Sequence, residues 1–213
     1  MNQAVILEDV AISFKNRPLL TKVNFKISAG DIALLSGENG SGKSTLLKVI
    51  CGLRQPKSGR VNVFGKELGP GKFAQQTAVL INSPRFINDM SGFDNLWALA
   101  QIKHQISQET VRLWMNRVGL DPTSKVKVRK YSLGMNQKLG LAQALMEDEN
   151  LILLDEPLNG LDKNSKQKIV DLVEEVHSEN PQKTFIIVSH DNYFNTIANR
   201  FFEINGEEVA ENV

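Results

Sequence analysis

Between Leu35 and Leu46 the chain reads Ser36-Gly37-Glu38-Asn39-Gly40-Ser41-Gly42-Lys43-Ser44-Thr45, and no other stretch restricts the possible folds so tightly. The glycines let successive backbone N–H groups turn inward and approach an anion without a Cβ in the way. Lys43 adds a point charge matched to the β- and γ-phosphates of a nucleotide, and the Ser44 hydroxyl suits Mg²⁺. Asp31-Ile32-Ala33-Leu34-Leu35 before the loop reads as a buried strand, and Thr45-Leu46-Leu47-Lys48-Val49-Ile50 after it has helical spacing. The loop therefore sits at a helix N-terminus, where anions are stabilised. Gly37, Asn39, Gly40, Ser41, Gly42, Lys43, Ser44 and Thr45 are the expected cradle of a triphosphate.

The surrounding pattern is that of a mixed α/β chain. Alternation in Val5–Val10 and Val23–Ile27 predicts antiparallel strands ahead of the loop, and Arg60–Phe64 predicts another that ends at Gly65. Thr77–Ile81 is predicted to be a buried strand, and from about Asn95 to Met146 the spacing turns helical. Residues 83–147 are thus expected to form a helical insertion in a mixed sheet. Leu151–Leu154, a helix near Lys163–His177 and a strand at Thr184–Val188 have apolar central strands, the mark of a parallel sheet covered on both faces. Asn205-Gly206, between Phe201–Ile204 and Glu207–Val209, is a hairpin signal.

Leu151-Ile152-Leu153-Leu154-Asp155-Glu156-Pro157 delivers two carboxylates at a strand's C-terminal end, where α/β sheets bind ligands. Asp155 can hold Mg²⁺ or its waters beside Ser44, which leaves Glu156 to polarise an attacking water as general base. Tyr131-Ser132-Leu133-Gly134-Met135 precedes a helical run from Gln137 to Met146. By itself this stretch is a helix N-cap on Ser132 with an adjacent turn.

Together with the phosphate loop, that stretch resembles the signature motif of the ABC (ATP-binding cassette) ATPases, with Gly134 at the second glycine and Leu133 at the first. The order of phosphate loop, signature, Asp155-Glu156 and His190 resembles the family along nearly the whole chain. The resemblance implies a P-loop NTPase fold with a mixed sheet core, an N-terminal antiparallel β subdomain and an inserted α-helical subdomain. Residues 1–213 then form one nucleotide-binding domain, with about 1–82 and 148–213 as the core lobe and about 83–147 as the signature subdomain. It also implies ATP with Mg²⁺, the ion held by Ser44, Asp155 and Asn82. His190, after Val188-Ser189, corresponds to the switch histidine at the γ-phosphate. Asn159-Gly160-Leu161-Asp162 corresponds to the D-loop that touches the opposing subunit. Phe14 occupies the adenine-stacking position, with a core strand residue as the alternative. Where the family has glutamine after the strand ending at Ile81, this chain has Asn82, one methylene shorter.

The same resemblance implies two copies that sandwich ATP, each nucleotide lying between Lys43 and Ser44 of one and Ser132 and Gly134 of the other. Separate transmembrane permease subunits are the further implied partners, which would place the chain at the cytoplasmic, inner face of the cell membrane. The Ser-Leu-Gly-Met form of the signature is similar to that of exporter ATPases. A soluble ABC ATPase serving a process such as cofactor assembly is the alternative.

Composition narrows the classes. With 41% hydrophobic and 23% charged residues the chain is neither disordered nor fibrous, and a net charge of +1 provides no basic face for nucleic acid. No stretch approaches the ~18–20 apolar residues of a membrane span, and no basic-then-apolar leader opens the sequence. Cys51, alone in an apolar stretch, is expected in the core; His104 and His177 are expected at the surface. Phe86 and Ile87 are candidates either for docking a membrane partner or for core packing.

Overall fold

The computed structural model describes residues 2–15 and 17–212. Strands β1 (Gln3–Phe14) and β2 (Arg17–Ser28) pair antiparallel, and β3 (Ile32–Gly37) leads into helix α1 (Lys43–Ile50). Next come β4 (Ser58–Val63), the short β5 (Lys66–Glu67) and β6 (Thr77–Leu80). Helices α2 (Gly92–Lys103), α3 (Gln108–Arg117) and α4 (Leu133–Leu145) all fall between β6 and β7 (Leu151–Asp155). Helix α5 (Lys163–Glu179), β8 (Thr184–Val188), β9 (Arg200–Asn205) and β10 (Glu208–Asn212) complete the chain.

A four-stranded sheet runs in the order β2-β1-β4-β5, and a six-stranded sheet in the order β10-β9-β3-β8-β7-β6. The inner strands of the larger sheet are parallel, and β10 adds an antiparallel edge. Period-two alternation divides its side chains between two cores. Ile32, Leu34, Ile152, Leu154, Phe185 and Ile187 face helices α2 to α5. Ala33, Leu35, Leu151, Leu153, Ile186 and Val188 face α1 and the antiparallel sheet. With both faces covered, β7 and β8 are buried along their whole length. The C-terminal ends of β3, β7 and β8 therefore open onto one rim, where the phosphate loop lies.

Several elements differ from the sequence expectation, each for a local reason. Strands β1 and β2 run 12 residues each. Register shifts between Leu7 and Val10 and between Val10 and Ile12, with Asp9 at φ +49°, break the alternation that would have revealed their length. Helix α2 begins at Gly92 because Ser91 Oγ accepts the Asp94 N–H at 3.1 Å, three residues before the helical spacing becomes apparent. The last hairpin pairs Asn205 with Glu208, so its turn is Gly206-Glu207. Gly206 at φ +61° serves as the first central residue. His177 is half-buried rather than superficial, with its Nε2 2.8 Å from the Gly30 carbonyl, while His104 is exposed at the end of α2. Phe86 packs against the helical core, whereas Ile87 is exposed. Cys51 is buried as expected, and burial pushes its thiol pKa up.

Candidate functional site

The loop from Gly37 to Gly42 ends in α1, whose N-cap is Gly42 at φ +110°. An L side chain rarely adopts that conformation, and no side chain caps the helix. The first turn carries no acidic residue, so the positive end of α1 is free to meet an anion. Lys43 is buried, and its ammonium donates to the carbonyls of Gly37 at 2.7 Å and Glu38 at 2.8 Å. Burial lowers its pKa, while Glu156 and Asp155 pull in the other direction. The Lys43 charge is thus already aimed across the loop and faces two carboxylates.

Phe14, Asn39, Gly40, Gly42, Lys43, Ser44, Thr45, Asp155, Glu156 and His190 line one cleft of about 660 Å³. It adjoins a second of about 460 Å³ that shares Ser44, Asp155 and Glu156 and adds Asn82, Leu133 and Gln137. Phe14 is 54% exposed, so it is not a core strand residue; Lys15 and Arg54 each approach its ring to 5.7 Å. Gly37 and Ser41 belong to the loop without lining the cleft.

Asp155 is buried at the end of β7 and accepts weakly from the Asn82 N–H at 3.4 Å. Glu156 follows at φ +49°, a region costly for a residue with a Cβ, and three hydrogen bonds fix its backbone there. Its N–H donates to Val188 O at 2.9 Å, and its carbonyl accepts from Asn159 N at 3.2 Å and Gln137 Nε2 at 3.0 Å. Its side-chain Oε1 is buried without a hydrogen-bond partner. His190 Nε2 stands 3.3 Å from that oxygen, and the His190 N–H reaches Oε2 at 3.5 Å. Burial raises the Glu156 pKa, against smaller opposing effects of His190 and Lys43.

Ser132, Gly134 and Asp162 lie outside the main cleft. Ser132 caps α4, its Oγ accepting from Met135 N at 3.2 Å, and is exposed. Asp162 caps α5 by accepting from Ser165 N at 2.9 Å and Ser165 Oγ at 2.7 Å. Gly134 and Gly160 allow these two segments to press together. A Cβ on Gly134 would meet Gly160 O at 2.8 Å, and one on Gly160 would meet Leu133 Cγ at 2.6 Å. Leu133 is 60% exposed beside them.

Sequence reasoning missed Leu19, Lys166 and Asp191 in the cleft wall. Lys166 pairs with Asp191 at 2.7 Å, tying α5 to the residue after His190. A lysine one turn into an amphipathic helix carries no local signal of such a partner. Asp191 was detectable only as the neighbour of His190.

The family model described as ABC transporter matches residues 20–159. The lantibiotic transport ATP-binding protein SrtF of Streptococcus pyogenes is 33% identical over 86% of this chain and 79% of its own length. The ergothioneine transport ATP-binding protein EgtV of Helicobacter pylori (strain G27) is 32% identical over 90% of this chain and 92% of its own. The ATP-binding cassette MJ0796, solved as a dimer in a post-hydrolysis state bound to ADP and Pi, superposes with a TM-score of 0.87 at 23% identity. That match covers 98% of this chain and 97% of the other.

Proposed function

The chain belongs to the ABC transporter family, and from that membership we propose that it is the ATP-binding and hydrolysing subunit that powers an exporter through ATP-dependent pairing of two nucleotide-binding domains. The observation that carries the reading is the convergence of Lys43, Ser44, Asp155, Glu156 and His190, from separate segments, on one cleft. The exporter assignment rests on the Ser132-Leu133-Gly134-Met135 form of the signature and on the lantibiotic-transport relative.

In this reading the loop N–H groups and the α1 dipole hold the phosphates, and Lys43 neutralises the β- and γ-phosphates. Among the described residues no cluster of three or more His, Cys, Asp or Glu side chains stands ready for a metal. The donors present are hard oxygens of Ser44 and Asp155, with the Asn82 amide nearby. A site that offers few protein oxygens fits Mg²⁺, which keeps waters and phosphate oxygens around it. Bound there, the ion would supply charge neutralisation. Glu156 takes the proton of the attacking water, and His190, against the same carboxylate, turns its ring toward the terminal phosphate. Ser132, Gly134 and Asp162 lie outside their own cleft and are exposed or half-exposed, as residues that complete a partner's cleft would be. The N-terminus of α4 then brings a positive dipole end to the second nucleotide. The segments up to about residue 82 and from about residue 148 act as the core lobe, and about 83–147 as the lobe that carries the signature.

The Phe14 ring stacks on adenine. Phe14→Ala is expected to weaken ATP binding by ~1–3 kcal/mol, read by titration with a fluorescent ATP analogue. Unchanged affinity would reduce the ring to an exposed strand end.

No described helix is long and apolar enough to cross a membrane. The transport-protein relatives support attachment at the inner membrane face through separate permease subunits. Tagged chain isolated from detergent-extracted membranes of its own cell is expected to bring a multi-span membrane protein with it. Recovery without such a partner, with ATPase activity intact, would favour a non-transport process such as cofactor assembly.

A further inference from the structure

We propose that Gln137 is a positioning residue for ATP hydrolysis: its side-chain amide holds the backbone of Glu156, so that the helix carrying the signature sets the aim of the base. The proposal rests on the reading of Glu156 as that base.

Gln137 lies on α4 and is 3% exposed, in a helix whose other inward residues, Leu139, Leu141, Ala142 and Leu145, are apolar. A buried amide is unfavourable unless it is hydrogen-bonded, so its presence calls for a partner. That partner is the Glu156 carbonyl, 3.0 Å from Nε2. Glu156 is held where a Cβ-bearing residue is strained, at φ +49°, and its buried Oε1 has no hydrogen bond of its own. His190 touches the carboxylate itself, whereas the strained backbone beneath it is held separately, and Gln137 is the one side chain among the described residues that donates to that backbone. The other two backbone bonds, to Val188 and from Asn159, belong to the loop and sheet around Glu156 itself. Gln137 alone brings in an element of the helical insertion.

Helix α4 meets the segment after β7 at a second point, where Leu133 and Gly134 press on Gly160. The two contacts bracket the start of α4. A shift of this helix, such as closure over a nucleotide would bring, cannot leave the Glu156 carboxylate where it was. The effect travels through one hydrogen bond and a strained residue, so it predicts a defect in turnover rather than in nucleotide binding.

The test compares Gln137→Met, of similar length but without an N–H, with Gln137→His, which keeps a ring N–H. Gln137→Met is expected to lower kcat about tenfold, the scale of one hydrogen bond to a fixed geometry, with ATP affinity changed less than about twofold. Gln137→His is expected to recover most of the loss. In a Glu156→Gln background, Gln137→Met is expected to change the residual rate by less than about twofold, because residues that act as a unit are not additive. Wild-type kcat in Gln137→Met, beside an inactive Glu156→Gln, overturns the positioning role and leaves the base in place. Loss of kcat, affinity and thermal stability together, unrescued by histidine, overturns it in favour of plain packing. Near-normal hydrolysis by Glu156→Gln overturns the base assignment and the proposal with it.

Discussion

Glu156→Gln is expected to cut ATP turnover ~10²-fold or more, the range a positioned general base contributes, while ATP affinity stays within about twofold of the parent. The substitution is nearly isosteric and leaves the backbone bonds to Val188, Asn159 and Gln137 in place, so the strained φ of +49° is not at issue. What disappears is the group able to take up a proton. Burial raises the pKa of this carboxyl group, which makes its ionised form a stronger base than an exposed glutamate. A carboxamide has no comparable basicity at any pH. Because the nucleotide remains bound but uncleaved, the variant should also accumulate as an ATP-held dimer, visible as a doubled mass in sedimentation with ATP and as monomer with ADP. Turnover close to the parent's would remove Glu156 from the base role and pass the task to His190 or to the substrate.

The legible part of this site is the part written as contiguous runs. Gly37 to Thr45, Leu151 to Glu156 and Val188 to His190 each combine a strand with the residue types that follow it, and strand ends in a parallel sheet share one rim. Their convergence is therefore contained in the pattern of the chain once the sheet is inferred. Contacts between side chains remote in sequence are not. Nothing around Lys166 predicts Asp191, and nothing in the run Met135-Asn136-Gln137-Lys138 says which polar residue turns inward. Gln137 becomes visible only when α4 is seen to lie beside the end of β7.

Backbone irregularity hid other features. Positive φ at Asp9 and the register shifts near it obscure the length of β1, because period-two alternation fails wherever a bulge adds a residue. The Asn205-Gly206 pair points to a turn but not to its register, which the Asn205–Glu208 pairing decides. Phe86 and Ile87 are neighbours of equal hydrophobicity, yet one packs inward and the other faces solvent. Outside a regular helix or strand no periodicity exists to separate them.

Lys43→Ala is expected to take ATP affinity out of the micromolar range. The ammonium is the one cation that the loop directs inward, across the carbonyls of Gly37 and Glu38. A charge-assisted hydrogen bond to a phosphate is worth about 1.5–3 kcal/mol, and an ammonium donates more than one. A second effect acts in the same direction. Lys43 faces Asp155 and Glu156, whose negative charges oppose its loss of charge on burial. Without it, a triphosphate would enter a cleft whose remaining fixed charges include two carboxylates, and the repulsion adds to the lost attraction. The combined change exceeds ~3 kcal/mol, more than a hundredfold in Kd. Fluorescence titration with an ATP analogue measures it, and circular dichroism of the same sample shows whether α1 is intact. The fold should survive, because burial works against the charged form of Lys43 and its removal relieves that penalty while freeing two carbonyls at the mouth of an open cleft. A folded Lys43→Ala protein that still binds ATP at micromolar concentration would show that the loop N–H groups and the α1 dipole suffice by themselves, and the assignment of Lys43 as the phosphate-binding cation would have to be withdrawn.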